Sequence, residues 1–241
     1  MGAAVTKRCE EITVHRLNPP HQGAPVLYAS LPLDRKTPKG QRTSSEAARQ
    51  RLVSTLWHHP GVRGHAPGNS DVDLPLQVVR GPLGRPHLLA GDCRLAISFS
   101  EGGGKVWAAL SGNGFEVGID VAGSDEFQGG YPLQRVFHPQ EFQHAKDLTA
   151  GNEAEAAALL WSVKEAVVKA LGCGFHLADP RQITVCPSTG EGGHTFPVVL
   201  SGKAQESFSP AAGRSLWVRS LPLEKSWLSI ANVSRRAAVH G

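Results

Sequence analysis

The chain has no uninterrupted apolar run approaching the ~20 residues that span a bilayer, so no membrane segment is expected. Its first ten residues, M-G-A-A-V-T-K-R-C-E, carry no apolar stretch, which argues against secretion and for a cytoplasmic protein. Cysteine is sparse. Cys9, Cys93, Cys173 and Cys186 are far apart, with no C-x-x-C pair and no histidine at zinc spacing, so four free thiols are expected. Aromatic residues make up only 6% and are rarely interleaved with the scattered basic ones. That counts against a nucleic-acid-binding module, even with a net charge of +4 and a pI near 9.0. The mild basicity suits an anionic ligand or an acidic partner as well as it suits solubility. What is plentiful is Gly (27) and Pro (17), which predicts many turns. The 241 residues can bury a sizeable core, in one large domain or two small ones.

The most regular stretch runs from about Asn152 to Phe175, N-E-A-E-A-A-A-L-L-W-S-V-K-E-A-V-V-K-A-L-G-C-G-F. Ala, Leu, Glu and Lys dominate it, and these cost least in a helix. Leu160, Val163, Val167, Ala170 and Leu171 form an apolar stripe. Gly172 and Gly174 stand where a left-handed cap is wanted. Trp161, Glu165 and Lys169 are four apart and share one face, beside Lys164. Taken alone, this is either a solvated ladder or a charged site.

Upstream, 12–17 and 26–33 read as strands, and a helix is expected from Ser44 or Ser45 to Trp57. Residues 34–46 and 58–75 read as loops, 76–79 as a strand and 80–88 as a turn carrying two arginines. Residues 95–100 and 106–110 form a hairpin around Gly102, Gly103 and Gly104. F-E-V-G-I-D-V, 115–121, reads as a strand ending at Asp120 beside a turn. A short helix is expected after His138-Pro139, and strands at 183–186, 195–200, 215–221 and 227–232. The fold class is therefore α+β. Two α+β halves, 1–115 and 116–241, are suggested by the order of elements alone, because no sequence repeat is visible.

V-G-I-D-V at 117–121, F-H-P-Q-E at 137–141 and W-S-V-K-E-A-V-V-K-A-L-G-C-G-F at 161–175 resemble, in order and spacing, the signature blocks of the 4′-phosphopantetheinyl transferases. The likeness is greatest to the larger, single-chain Sfp type. G-R-P at 84–86 and S-F-S at 98–100 resemble two weaker blocks, so the resemblance runs from about residue 45 to 185. It implies two related halves packed as a pseudo-dimer, with coenzyme A in the cleft between them, acting as a monomer. The implied reaction moves phosphopantetheine from coenzyme A to a serine of an apo acyl or peptidyl carrier protein, with Mg²⁺, and releases 3′,5′-ADP. Neither nucleic acid nor a membrane is expected as a partner.

Under the resemblance, Asp120 and Glu165 are the metal-binding acids, and a hard cation on a diphosphate needs only such a pair plus water. Glu165 can also take the serine proton, so base and ligand both stay open. Lys169 is implied to be catalytic and to bind phosphate, with Lys164 either beside it on the coenzyme or a surface charge. Arg49, Arg85 and Ser98 are implied at the nucleotide end, arginine for its paired bonds to phosphate oxygens. Glu141 is read as a helix-start acid that orients the site.

Two residues depart from the pattern. Phe99 stands where the family has a phosphate-binding histidine, and Ala122 where it commonly has a second acid, with Asp125 or Glu126 as substitutes from the next loop. The loss at 99 removes a charge-assisted bond worth on the order of 1.5–3 kcal/mol. A degenerate member that binds coenzyme A or a carrier protein without transfer is the alternative.

Overall fold

The computed structural model describes residues 11–18, 25–33, 43–63, 75–81, 83–189, 194–208 and 216–234. Most of the expected loops at 34–46 and 58–75, and Cys9, lie outside them. Strands β1 (Val14–Leu17), β2 (Val26–Pro32), β3 (Leu76–Arg80), β4 (Pro86–Ala90), β5 (Cys93–Gly102) and β6 (Lys105–Ser111) form one antiparallel sheet, in the order β1-β2-β6-β5-β4-β3. Strands β7 (Phe115–Gly123), β8 (Ile183–Val185), β9 (Thr195–Leu200), β10 (Leu216–Pro222) and β11 (Ser226–Ser234) form a second, ordered β7-β11-β10-β9-β8. The class is α+β, as the order of elements predicts.

Helix α1 (Thr43–His58) and the single turn α2 (Pro60–Arg63) follow β2. Leu52, Val53 and Leu56 of α1 bury against Leu27, Ile97 and Leu110 of the first sheet. On the other side, α3 (Leu133–Val136), α4 (Pro139–Leu148) and α5 (Glu153–Leu171) precede β8, and α6 (Gly202–Phe208) follows β9. Leu160, Val163, Val167 and Ala170 of α5 bury against the second sheet. Between the sheets, Val117, Ile119, Val121, Leu228 and Ile230 meet Val26, Ala96, Trp107 and Ala109. The layers thus run helix, sheet, sheet, helix, with three apolar interfaces removing surface from water.

Strand β7 is the end strand of its sheet. Two of its backbone N–H groups, at Ile119 and Val121, donate to the hydroxyls of Ser98 and Ser100 on β5, at 3.1 and 3.2 Å. Side chains rather than a strand ladder therefore join the two sheets there and satisfy donors that burial would otherwise penalise.

Helix α5 starts and stops where its chemistry says. The Asn152 side chain accepts from the Glu155 N–H at 3.2 Å, and Glu153 and Glu155 lie in the first turn, against the helix dipole. Gly172 ends it with φ of 76°, a conformation that disfavours any side chain. Gly118 of β7 fixes its depth. A Cβ there would collide with the Ala166 carbonyl oxygen and lie 2.6 Å from the Ala170 nitrogen, so only glycine lets the helix backbone rest on the strand.

Candidate active site

Alternation along β7 places Gly118, Asp120 and Ala122 on the face toward α5, with Val117, Ile119 and Val121 toward the first sheet. The strand does not end at Asp120. It runs on to Gly123, because β11 continues the pairing, with Asp120 opposite Ser229 and Gly123 opposite Ser226. Asp120 is buried at 7% exposure, and a buried carboxylate needs partners. One oxygen accepts from the Ser100 hydroxyl at 3.0 Å and lies 2.6 Å from the Lys169 ammonium. Lys169 also reaches the Ile119 carbonyl at 3.2 Å.

Glu165, one helical turn before Lys169, is half-buried and lines a cavity with Lys169, whereas Asp120 is not among the residues that line it. Its carboxyl titrates above the ordinary 4.5, first because burial disfavours the charged form, then because of the Asp120 charge, with Lys169 opposing. Asp120 pairs with Lys169, and Glu165 lies near enough to feel the charges of both. Two such acids fit a small divalent cation whose other ligands are waters and phosphate oxygens. Among the described residues no group of three or more His, Cys, Asp or Glu is placed to hold a metal ion.

The cavity beside this pair has a volume of about 340 Å³ and lies between the two sheets' helices. Arg49 from α1, Arg85 from the turn between β3 and β4, Ser98 from β5, and Glu165 and Lys169 from α5 all line it, together with Phe99. Five sequence-predicted residues from separate segments therefore meet. Ser98 is buried and receives the Ile119 N–H. Arg85 is more constrained than a ligand-only role requires. Its guanidinium is 2.9 Å from the Glu116 carboxylate and donates to the Leu171 carbonyl at the end of α5. It lies against Gly172, where a Cβ would overlap it.

Lys164 is not at the cavity. One residue away from Glu165 is about 100° around a helix, and that turn directs Lys164 into the core. It is completely buried, neither a coenzyme contact nor a surface charge. Its ammonium is 2.6 Å from Glu141 and donates to the Pro180 and Ile183 carbonyls, each at 2.8 Å. Burial pulls its pKa down while Glu141 pulls it up. Glu141 in turn accepts the His138 N–H, closing a capping box on α4, and the Val185 N–H, both at 2.8 Å. The pair orients α4, α5 and β8 rather than a ligand.

Asp125 and Glu126 do not substitute for Ala122. Both are exposed, and Glu126 accepts the Gly123 N–H at 2.8 Å in the short 3₁₀ turn 124–127. Trp161 packs with Phe175 at 5.0 Å and edge-on to Phe127 at 6.4 Å, an aromatic wall a turn from Glu165. Two further residues belong to the site. Ser100 holds Asp120, and the period-two spacing from Ser98 could have shown that both face one way. Arg80, the first of the two arginines in the stretch 80–88, lines the cavity as well.

Residues 116–214 match the family model of the 4′-phosphopantetheinyl transferase superfamily. No curated protein sequence is matched. Among solved structures, an ACPS–CoA complex from Chronobacterium ammoniagenes is similar, at 20% identity and a TM-score of 0.42, over 51% of this chain and 98% of that one. A holo-ACP synthase from Plasmodium yoelii aligns at 15% identity and a TM-score of 0.40, over 50% and 94%. The acyl carrier protein synthase of Mycobacterium tuberculosis aligns at 26% identity and a TM-score of 0.36, over 50% and 97%. Among the described residues, no helix is long and apolar enough to cross a membrane.

Proposed function

We propose that the chain is a phosphopantetheinyl transferase of the holo-acyl-carrier-protein synthase kind, moving the 4′-phosphopantetheine group of coenzyme A onto a serine of an apo carrier protein. One observation carries this. The acid of G-I-D pairs with the second lysine of the K-E-A-V-V-K helix, and that lysine and the helix's own acid, which feels the Asp120 charge, line a cavity rimmed by arginines. Arg49, Arg80 and Arg85 suit the phosphates of the nucleotide end. Asp120 and Glu165 would hold Mg²⁺, which when bound neutralises diphosphate oxygens.

The serine oxygen attacks the phosphorus that carries pantetheine, and the bond from that phosphorus to the bridging oxygen breaks. 3′,5′-ADP leaves with that oxygen. Glu165 takes the serine proton directly or through a water. Lys169 meets charge that grows on the phosphate oxygens in transfer. The protein acts as a cytoplasmic monomer.

A second reading, binding without transfer, is favoured by Phe99, which offers no hydrogen bond, and by Ala122, which is buried at 1%. Mass spectrometry separates the two. The purified protein with Mg²⁺, coenzyme A and a panel of apo carrier proteins is expected to add one phosphopantetheine per carrier. Coenzyme A binding by calorimetry with no mass gain on any carrier would establish the second reading. Absence of both rejects the family assignment of function.

A further inference from the structure

The guanidinium of Arg49 lies 5.7 Å from the centre of the Phe99 ring, across the gap between α1 and β5. One of its terminal nitrogens is 2.8 Å from a Glu101 oxygen, and Glu101 also accepts the Ser45 hydroxyl. Its other terminal nitrogen stays 4.0 Å from Glu46, too long for a hydrogen bond. Its Nε is buried with no hydrogen-bond partner among the described residues. A buried N–H without an acceptor is costly unless something nearby attracts it, and the negative face of an aromatic ring does so for a guanidinium. Arg49 and Phe99 line the cavity that also holds Glu165 and Lys169, and Lys169 is 3.5 Å from the Phe99 carbonyl oxygen.

We infer that Phe99 is a positioning residue: its ring face and the Glu101 carboxylate clamp Arg49 at the cavity wall, and Arg49 gives a phosphate of coenzyme A the charged donor that residue 99 itself lacks. The inference rests on the transferase reading above. It converts an apparent defect into a relocated contact. The anion meets a guanidinium from α1 rather than a side chain of β5. Phe99 contributes through the orientation of that guanidinium and makes no bond to the ligand.

Calorimetry of coenzyme A binding tests it, using the wild type, Phe99→Leu, Phe99→Tyr, Arg49→Gln and the Phe99→Leu/Arg49→Gln pair. Leucine keeps the apolar volume and removes the ring face, so Phe99→Leu weakens binding roughly two- to thirtyfold. Phe99→Tyr keeps the face and stays within about twofold. In the Arg49→Gln background Phe99→Leu has no further effect, a coupling that a merely structural Phe99 would not produce. With 3′-dephospho-coenzyme A, loss of the Arg49 effect points to the 3′-phosphate and its retention to the diphosphate. Either result supports the clamp. Equal effects of Phe99→Leu in both backgrounds, or none in either, overturn it. If the wild type binds no coenzyme A, the transferase reading falls and takes the clamp with it. Wild-type binding without coupling removes the clamp alone.

Discussion

Replacing Lys164 by methionine should cost stability and spare the ligand site. The side chain is wholly buried, and its ammonium holds one carboxylate oxygen at 2.6 Å and two carbonyl oxygens at 2.8 Å. Methionine fills much of the volume, so little cavity forms. What is lost is charge and donors. Removing one partner of a buried ion pair costs about 3–5 kcal/mol, because the other charge stays behind without compensation. Here Glu141 keeps two backbone N–H donors, which holds the cost within that range rather than above it. For a chain of this length, each kcal/mol moves the melting midpoint by about 2–4 °C, so a drop of about 6–20 °C is expected. Differential scanning calorimetry reads it. Adding Glu141→Gln to Lys164→Met removes the stranded charge and should restore part of the loss. Below its melting transition, Lys164→Met should bind coenzyme A as the wild type does. A midpoint within about 2 °C of wild type, which is under 1 kcal/mol, together with lost coenzyme binding, would refute the reasoning and return Lys164 to the ligand.

Glu165→Gln should abolish transfer, measured by mass gain of the carrier, yet raise the melting midpoint of the metal-free protein at neutral pH. The folded state holds the Glu165 proton more tightly than the unfolded chain, so wild-type stability falls as pH rises from 4.5 through the raised value, and the glutamine variant escapes that fall. A variant less stable than wild type at neutral pH would contradict the electrostatics. Gly118→Ala should destabilise by about 3 kcal/mol, the upper end for overpacking, because the clash is with main chain that cannot rotate away; thermal unfolding checks it. Ser100→Ala takes away the donor to Asp120 and an acceptor for the Val121 N–H, and should lower kcat/KM about tenfold with the fold retained by circular dichroism.

The order of elements and the organising helix were readable from the residues. Helix α5 announces itself by periodicity, an N-cap and a C-terminal glycine, and the four-residue step puts Glu165 and Lys169 on one face without further information. Partners far along the chain were not readable. Lys164 adjoins Glu165 in a run that gives both the look of a site, and only the positions of Glu141, Pro180 and Ile183 show that it faces inward. Strand β4 was hidden because Gly84, Pro86 and their neighbours carry turn chemistry, and its pairing with β3 and β5 overrides that. The continuation of β7 past Asp120 has the same origin: β11 supplies the register that local composition does not. Helix α6 has no strong period in its seven residues, and Gly202 conceals its start.

The absent side chain at position 118 has a reach beyond its own contact. Two backbones touch there, between Gly118 and Ala166, two residues before Asp120 on the strand and one residue after Glu165 on the helix. The spacing of the main chain that carries them is consequently set by peptide geometry, which barely yields, while rotamers set only the reach of each carboxyl. Substitutions in the core elsewhere can loosen α1 or the outer strands and still leave the seating of α5 on β7 unaltered.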